Sequence, residues 1–569
     1  MFVRLACVAI ALFAAPVTSA LAQDTATAAT SQVPQDRQLP TSGSVTLGLP
    51  DAIATALARN PALTIERMRV DAATADIRAE RGGLMEPQLN VSQASYRRDN
   101  VIASRFYPTG LYIDSENATR ISVESKTFFG GTVSAGVDYR QLTSTSNIQT
   151  LSPQYSANLV FGVTQPLLRD FGYDAAMSKI RLSTARAHVA EQVFVQAAAR
   201  VISQTEEEYW RWAYAREQAS VMRRSRDSAA RLLTQADTLF GAGKAAPVSV
   251  QQARAVLAQR EEGVIGANAD TESVADRLKL LLRIDLSAEL TPAGTPADTS
   301  AIAAAPPSPA ILPALVTATA PATAPIDPAA SIESALRRRP ELIALGHERE
   351  QREIELNIAR NQVLPRLDVT AQYTRTGMAG LPSTVCVDPT ALECVAAGVG
   401  VPDSIFSTMT GPRDALNQLF VRQPFDGWSA ELRLQVPLGM RAARARRTEA
   451  ELKLAESQLR LTAARDEVAR DVREAVRLAT TAQARFDAAR QAASFARTQF
   501  ITARTQFDAG LVSTYDVVRM QDELDRATLT ELKAQMELNI ALSKVRLADM
   551  TVLDNHPLAL APRAAAGTK

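Results

Sequence analysis

Histidine, cysteine, clustered carboxylates and aromatic residues are the side chains of this sequence that could do chemistry. The three His residues, His188, His347 and His556, lie far apart along the chain. His347 precedes Glu348 but lacks the second His of a zinc-protease helix, so a solvated helix face is the preferred interpretation. The sequence contains no nucleophile elbow, phosphate-binding loop or dinucleotide fingerprint. We therefore expect no catalytic residue, no cofactor and no metal site.

One acidic and aromatic cluster needs a separate interpretation. Glu206, Glu207 and Glu208 are followed by Tyr209, Trp210 and Trp212. Carboxylates beside exposed aromatic rings are typical of carbohydrate binding. Bulky side chains packed between helices beside a solvated acidic face are the preferred alternative.

The N-terminus predicts export from the cytoplasm. Residues 1–22 have Arg4, then an apolar stretch, then Ala20-Leu21-Ala22, as in a cleaved signal peptide. We expect Cys7 to be removed with this segment and expect no lipid anchor. The whole sequence has 62 basic and 61 acidic residues, which argues against nucleic-acid binding. After the signal there is no uninterrupted run of about 18 apolar residues, so a role in a membrane would need a β-barrel.

Two cysteines remain after the signal peptide, Cys386 and Cys394, in a loop that contains Pro and Gly. In an exported protein a disulfide within this loop is the natural interpretation. Two free thiols are the alternative. A metal site is disfavoured because neither His nor a further Cys is near.

The longest predicted element is a helix over residues 441–507. Apolar residues recur along it at alternating steps of four and three, which is a heptad seam. At about 1.5 Å per residue this helix would extend roughly 100 Å, enough to span a periplasm. An ordinary dimeric coiled coil is the alternative on this helix alone. The seam comprises Val468, Val472, Ala475, Ala479, Ala482, Phe486, Ala489, Ala493, Ala496, Phe500, Ala503 and Phe507.

The same order of elements is predicted twice, which indicates an internal duplication. Each copy begins with a helix interrupted before a Pro, at Asn60-Pro61 and at Arg339-Pro340. Two strands then lead through a Pro into a long helix, a Gly-containing turn and a returning helix. The first repeat spans residues 45–286, with strands at about 87–98 and 155–166 and helices at 174–240 and 247–284. The second spans residues 331–553, with strands at 365–375 and 428–437 and helices at 441–507 and 513–550. The strand-helix junctions are Pro87, Pro166, Pro365 and Pro437.

The remaining segments are expected to lack regular structure. Residues 287–330 are rich in Ala, Pro and Thr and read as a linker between the repeats. Residues 23–44 and 554–569 are expected to be a disordered arm and a disordered tail.

The predicted strands alternate apolar and polar residues. The apolar face would cover a core in a soluble sheet and would meet lipid in a membrane barrel, and the strands alone do not discriminate. A further hairpin over residues 121–139 has no counterpart in the second repeat. It either caps a barrel outside the membrane or adds two strands to it.

Two segments carry a family resemblance. One is Gln165-Pro166-Leu167-Leu168 at a strand-helix junction; the other runs from Phe507 to Val518 and has a Gly-Leu-Val turn with Asp516 six residues after Gly510. Together with the repeated order of elements, they resemble the TolC family of outer-membrane efflux proteins over roughly residues 45–553.

This resemblance implies an α+β membrane protein. It implies a homotrimer in which four strands per chain form a 12-stranded outer-membrane β-barrel, continued by a long periplasmic coiled-coil barrel of helices. The implied partners are a periplasmic adaptor, an inner-membrane pump of the RND, ABC or MFS type, and outer-membrane lipid.

The resemblance also implies two sets of site residues at the helix turns. The turns that would dock the adaptor contain Gly241, Gly243, Lys244, Gly510, Leu511 and Val512. The candidate pore gate is Ser249, Asp516 and Arg519. Asp516 holds the place of one acidic residue of the family, whereas Arg519 and Ser249 stand where further acids are expected. Whether Asp516 and Arg519 face the pore or the outer side of the helix is left open.

The leading functional hypothesis is a passive exit duct in the outer membrane that does no chemistry of its own. The alternative is a structural periplasmic coiled-coil protein with a soluble cap of strands. A third hypothesis keeps the fold but assigns protein secretion. The sequence does not separate secretion from efflux, because the choice of substrate lies mainly with the pump.

Overall fold

The helices begin and end where Pro, Gly and the apolar pattern require it. The structure is a computed structural model that describes residues 44–101, 111–146, 149, 151–243, 246–292, 327–382, 384–385, 395–396, 410–420, 425–509 and 511–554. Its helices are α1 (Leu49–Arg59), α2 (Pro61–Met85), α3 (Tyr173–Ala176), α4 (Ser178–Gly241), α5 (Pro247–Leu282), α6 (Pro328–Arg338), α7 (Pro340–Gln362), α8 (Pro412–Gln418), α9 (Arg441–Asp508) and α10 (Thr514–Ala548).

The two interrupted helices break at the residue before Pro. Asn60 and Arg339 have extended backbones, with ψ of 123° and 120°, and Pro61 and Pro340 each begin the next helix. A Pro ring disfavours a helical conformation in the preceding residue, while the fixed φ of Pro suits a first helical position. The same restriction on the residue before Pro therefore breaks the helix at Asn60-Pro61 and at Arg339-Pro340.

The heptad seam of α9 is buried along most of its length. Val468 and Val472 are 2% and 0% exposed, and Ala493 is 1% exposed. Phe500 and Phe507, nearer the turn, are half-buried. Because small Ala residues fill much of the seam, neighbouring helices can pack with their backbones close together.

The strands are β1 (Ser44–Leu47), β2 (Gln88–Val101), β3 (Leu111–Lys126), β4 (Thr132–Ser144), β5 (Leu151–Pro166), β6 (Glu289–Pro292), β7 (Arg366–Pro382), β8 (Thr384–Val385), β9 (Val395–Ala396) and β10 (Phe425–Gln435). The main sheet has the order β10-β7-β5-β4-β3-β2, and every pair in it is antiparallel. The family resemblance implied four strands per chain, and the place of the hairpin of β3 and β4 was left open. In the structure this hairpin lies inside the sheet, which has six strands. Alternation in the sequence predicted the hairpin, whereas its place in the sheet depends on pairing with β2 and β5.

The chain divides into two compact units, and the first comprises residues 44–60, 205–292 and 492–536 of the described ranges. In it β1 pairs in parallel with β6. Ile53 of α1, Leu278 of α5 and Trp212 of α4 are at most 2% exposed and belong to its core. This unit also contains both helix turns.

The aromatic residues that follow the Glu cluster belong to this core. Tyr209, Trp210 and Trp212 are 5%, 7% and 2% exposed. The Tyr209 and Trp212 rings meet edge to face with centroids 5.8 Å apart, and burial raises the pKa of Tyr209. The packing interpretation is thus confirmed for these rings, and no aromatic surface is left there for a sugar. Glu206 is buried as well, which the expected solvated acidic face did not include.

The second unit comprises residues 61–101, 111–146, 149, 151–204, 327–382, 384–385, 395–396, 410–420, 425–491 and 537–554. It contains the six-stranded sheet and a helical core in which α9 and α10 pack side by side. Arg339 joins three helices of this core: its Nε donates to the Ala548 carbonyl at 2.8 Å, and its Nη1 contacts Glu341 at 2.5 Å and Asp471 at 3.8 Å. Among the described residues, no helix has both the length and the apolar composition needed to cross a membrane.

Candidate functional site

The first helix turn joins α4 to α5. The Gly243 amide donates to the Phe240 carbonyl at 2.9 Å, and Gly243 has a φ of +70°. Gly tolerates this left-handed conformation because it has no Cβ. Gly241 and Gly243 are exposed, while Lys244 lies outside the described residues. Ser249 is half-buried in the first turn of α5, where its amide donates to the Ala246 carbonyl.

The second turn joins α9 to α10. The Leu511 amide donates to the Gln506 carbonyl at 2.8 Å, which closes the end of α9. Leu511 is 76% exposed and Val512 is half-buried. Gly510 lies outside the described residues. The apolar side chain of Leu511 thus lies in solvent beside this turn.

Asp516 takes part in the cap of α10. Its Oδ2 accepts from the Ser513 amide at 3.2 Å and from the Ser513 hydroxyl at 2.6 Å, and the Asp516 amide faces the Ser513 hydroxyl at 3.4 Å. This reciprocal arrangement is a capping box. The hydrogen bonds from Ser513 lower the pKa of Asp516 below its ordinary value, and the positive charge of Arg519 adds a smaller effect in the same direction.

The capping box gives Asp516 a structural role, which the sequence analysis did not consider. The signal was present as Ser513-x-x-Asp516, the pattern that begins many helices. Arg519 is exposed one turn further along α10. Whether either residue faces a pore depends on other copies of the chain.

A small cavity lies beside these turns, between α4, α5, α9 and α10. Its volume is about 70 Å³. Apolar and polar side chains share its wall. The lining residues are Ser225, Ser228, Ala229, Arg231, Leu232, Gln235, Val256, Arg260, Phe500, Arg504, Phe507, Val517, Val518, Gln521 and Asp522.

Two polar contacts next to this cavity join the two halves of the chain. Arg260 of α5 forms an ion pair with Asp522 of α10, with 19% and 33% of these side chains exposed. The buried Ser225 hydroxyl of α4 donates to Asp525 of α10 at 2.5 Å, and Gln521 donates to the other oxygen of that carboxylate at 2.9 Å. Buried carboxylates need such partners, because desolvation without them is costly.

Sequence reasoning missed these contacts. The residues of each pair are 262 and 300 positions apart. The sequence did show that Asp522 and Asp525 lie one helical turn apart beside the apolar stripe of α10, which indicates partly buried carboxylates. It did not show which of the many polar residues on the preceding helices would be their partners.

The four Pro junctions lie at one end of the main sheet. Pro437 follows β10, Pro365 precedes β7 and Pro166 ends β5, and these three strands are neighbours, whereas Pro87 precedes β2 at the opposite edge. The Leu167 amide donates to the Leu367 carbonyl at 2.7 Å. This bond holds the end of β5 and the start of β7 together.

His188 of α4 and His347 of α7 are brought together, although they are far apart in sequence. Their rings stack with centroids 5.1 Å apart. Each Nδ1 lies 3.2 Å from a carboxylate one turn along its own helix, that of Glu191 or Glu350. Within the described ranges no group of three or more His, Cys, Asp or Glu is arranged to hold a metal ion.

Cys386 and Cys394 lie outside the described residues. Val385, which precedes Cys386, and Val395, which follows Cys394, are described and lie opposite each other where β8 and β9 pair antiparallel.

Comparisons with known proteins were made for the sequence and for the fold. The outer membrane efflux protein family profile matches residues 52–282 and 331–549. A comparison with curated protein sequences gives no match.

Three outer-membrane proteins illustrate the likeness of fold. The CmeC outer membrane channel of Campylobacter jejuni is 14% identical, with 90% of each chain covered and a TM-score of 0.55. CusC, whose structures describe transmembrane channel formation, is 14% identical over 90% of this chain and 95% of its own, with a TM-score of 0.57. The open state of the MtrE outer membrane channel of Neisseria gonorrhoeae is 14% identical over 88% of each chain, with a TM-score of 0.53. At these identities the likeness establishes the fold alone.

Proposed function

Because the chain belongs to the outer membrane efflux protein family, we propose that it is the outer-membrane exit duct of a tripartite efflux system. The observation that carries this proposal is the family match itself, which covers both helical halves of the chain. The duct is passive: an inner-membrane pump supplies the energy, and substrates leave the cell through the duct. The two halves, whose elements follow the same order apart from the hairpin of β3 and β4, are copies of one ancestral unit.

The working form is a homotrimer whose three sheets close into one β-barrel in the outer membrane. The helices continue this barrel as a periplasmic tunnel. Support comes from the two edge strands: β10 is exposed along its whole length and β2 at all but one residue, and both carry large apolar side chains. Trp428 and Val101, for example, are 82% and 84% exposed. Edges of this kind are normally paired or covered in a native protein.

A periplasmic adaptor docks at the two helix turns. Support comes from the exposure of Gly241, Gly243 and Leu511, and from the sides of the helices being used in packing. Replacing Gly510 by Val should lower export while the amount of trimer in the outer membrane stays normal. Loss of the trimer would instead show that the turn is needed for folding or assembly. The pump is of the RND, ABC or MFS type, and the residues of this chain do not choose between them.

The gate lies at the same turns and involves Ser249, Asp516 and Arg519. Three copies of Asp516 around a threefold axis would favour cations, and three copies of Arg519 would oppose them. In planar bilayers Arg519→Ala should increase cation selectivity and Asp516→Ala should decrease it. Unchanged cation selectivity in both variants would show that Asp516 and Arg519 are not part of the gate. Because Asp516 also caps α10, Ser513→Ala is the control for loss of the cap alone.

Cell fractionation tests the proposed function as a whole. The protein should fractionate with the outer membrane, and its trimer should migrate differently on gels before and after heating. A pump-dependent export defect should follow deletion of its gene. Recovery of the protein with the soluble periplasm would overturn the proposal and would favour a structural coiled-coil protein.

A further inference from the structure

The hairpin of β3 and β4 is built into the main sheet along its full length. β3 pairs with β2 from Leu111 to Glu124, and β4 pairs with β5 from Thr132 to Leu142. Between themselves β3 and β4 pair from Asp114 to Lys126 without a register shift. A hairpin that merely capped the sheet would leave β2 to pair directly with β5.

The register carries one apolar face across all six strands. Following the paired residues from strand to strand gives a single row: Leu89, Val123, Ala135, Phe161, Tyr373 and Trp428. The row crosses the hairpin without a polar side chain. An isolated hairpin in water would have no reason to match the apolar face of its neighbours, because a shift of one residue would turn that face over.

The opposite face of the hairpin is largely polar. Ser92, Arg120, Asp138, Asn158 and Thr376 form one row of this face across five strands, and Phe425 continues the row on β10. Arg120 contacts Asp138 at 2.6 Å, and Arg140 forms an ion pair with Glu116. Apolar residues outward and satisfied charges inward are the pattern of a membrane barrel with an aqueous lumen.

The turn of the hairpin reaches the end of the sheet where the helices begin. The Gly172 amide donates to the Phe129 carbonyl at 3.2 Å, and the Gln165 side chain donates to the same carbonyl at 3.0 Å. Gly130 has a φ of +84°, and a Cβ at this position would lie 2.2 Å from the Asp170 carbonyl oxygen. The hairpin therefore spans the sheet from the loop end to the Pro junctions.

We infer that β3 and β4 are two strands of the barrel wall, so that three copies of a six-stranded sheet close into an eighteen-stranded barrel. This inference rests on the proposed trimer and replaces the twelve strands implied by the family resemblance. With six alternating strands, β2 and β10 run in opposite directions. The β10 edge of one copy can thus pair antiparallel with the β2 edge of the next. Barrel diameter grows roughly linearly with strand number, so the outlet is about 1.5 times as wide as a twelve-stranded one.

The placement of the hairpin is tested by single cysteines in full-length protein that lacks Cys386 and Cys394. Ser122→Cys and Ser134→Cys should react in intact outer membranes with a charged, water-soluble maleimide. Val123→Cys and Ala135→Cys, on the apolar face, should be protected. In β5, outside the hairpin, Thr164→Cys and Val163→Cys are the matched reactive and protected controls.

Equal labelling of both hairpin faces, with alternation kept at residues 163 and 164, would overturn the inference and leave the exit duct intact. Loss of alternation at residues 163 and 164 as well would show that the sheet is not a barrel wall, and the proposed function would fail with it. The two failures are therefore distinguishable.

The width of the outlet is tested by polymer exclusion in planar bilayers. Deleting residues 111–150 leaves β2 antiparallel to β5, so a barrel with two fewer strands per copy can close. Polyethylene glycols added from the outer side should enter the full-length barrel up to a larger size than they enter the deletion variant. Equal size limits would overturn the inference. If the deletion variant does not assemble, the cysteine labelling decides.

Discussion

At the scale of single residues, the helix turns combine strict backbone demands with exposed side chains. Gly243 has a left-handed backbone and is exposed. Asp516 uses both its carboxylate and its backbone amide in hydrogen bonds with Ser513 at the start of α10. Such residues hold the shape of a surface without being buried in a core. Their contribution is therefore local and can be measured by substitutions that leave the rest of the fold unchanged.

Replacing Gly243 by Ala should destabilise the first turn, because a Cβ in the left-handed region costs about 1–2 kcal/mol. The comparison is Gly241→Ala, since Gly241 ends α4 without a positive φ, and neither position has a neighbouring atom within 4 Å of an added Cβ. Limited proteolysis should show faster cleavage at the turn in Gly243→Ala alone. Equal cleavage of the two variants would contradict the assignment of the turn.

Asp516 should contribute to acid sensitivity. Its folded pKa lies below the ordinary value of 3.8, so its stabilising effect is complete above that value and is lost as pH falls through the folded pKa. Thermal unfolding should therefore show a smaller loss of stability between pH 5 and strongly acidic pH in Asp516→Asn than in the natural protein. Asp466→Asn, at an exposed position within α9, is the control. A full acid response in Asp516→Asn would rule out the capping role.

Cys386 and Cys394 should form a disulfide. The pairing of Val385 with Val395 supports this, because Cys386 directly follows Val385 and Cys394 directly precedes Val395 in the sequence. Mass spectrometry of the non-reduced exported protein should show one linked peptide pair. Recovery of both thiols free would refute the disulfide. The bond closes a short loop, so its removal should change the order of the loop more than the stability of the fold.

At the scale of elements, the two faces of β10 differ in polarity. Trp428, Ala430, Leu432 and Leu434 follow one face, and Ser429, Glu431 and Arg433 follow the other. Several residues of the apolar face are more than 60% exposed in the single chain. Lipid on this face would remove apolar area from water, which is the main driving force for insertion.

Trp428→Arg should therefore reduce the amount of trimer in the outer membrane. An Arg on the lipid face costs about 2–4 kcal/mol near the bilayer midplane and less toward the interface. The matched control is Ser429→Arg, because Ser429 is the adjacent residue and lies opposite Gln372 on the polar face. Trimer quantified in outer-membrane fractions should fall for Trp428→Arg only. A larger loss with Ser429→Arg would mean that the faces are assigned the wrong way round.

At the scale of the whole molecule, polar contacts between distant halves of the chain supplement the Ala-rich seams. Arg260 and Asp522 connect α5 of the first half with α10 of the second, and both side chains are largely shielded from solvent. A shielded pair of this kind adds specificity, since removing one partner leaves a charge without its counterpart. The pair is thus expected to hold α5 against α10 near the turns.

Charge exchange tests this contact. Arg260→Asp and Asp522→Arg should each lower the unfolding midpoint, and the double variant should recover much of the loss. The coupling expected for residues in contact is about 0.5–3 kcal/mol, and it can be obtained from a double-mutant cycle. Additive losses would show that the two residues act independently. Arg277→Asp, an exposed substitution on the same helix, is the control.

The sequence alone determined the local features of this protein. Pro61 and Pro340 dictate the breaks between helices, because the ring acts on the residue next to it. The seam of α9 and the alternation of the strands follow from periodicity within a few turns or pleats, which is why they were predictable. The turn around Gly243 was predictable for the same reason.

The tertiary structure decided what depends on pairing between distant residues. The hairpin of β3 and β4 could have capped the sheet or joined it, and its registers with β2 and β5 place it inside. The stacking of His188 on His347 and the ion pair of Arg260 with Asp522 follow from helices packed across the chain. Each such contact selects one partner from many chemically equivalent residues, and only the packing of helices and strands makes that selection.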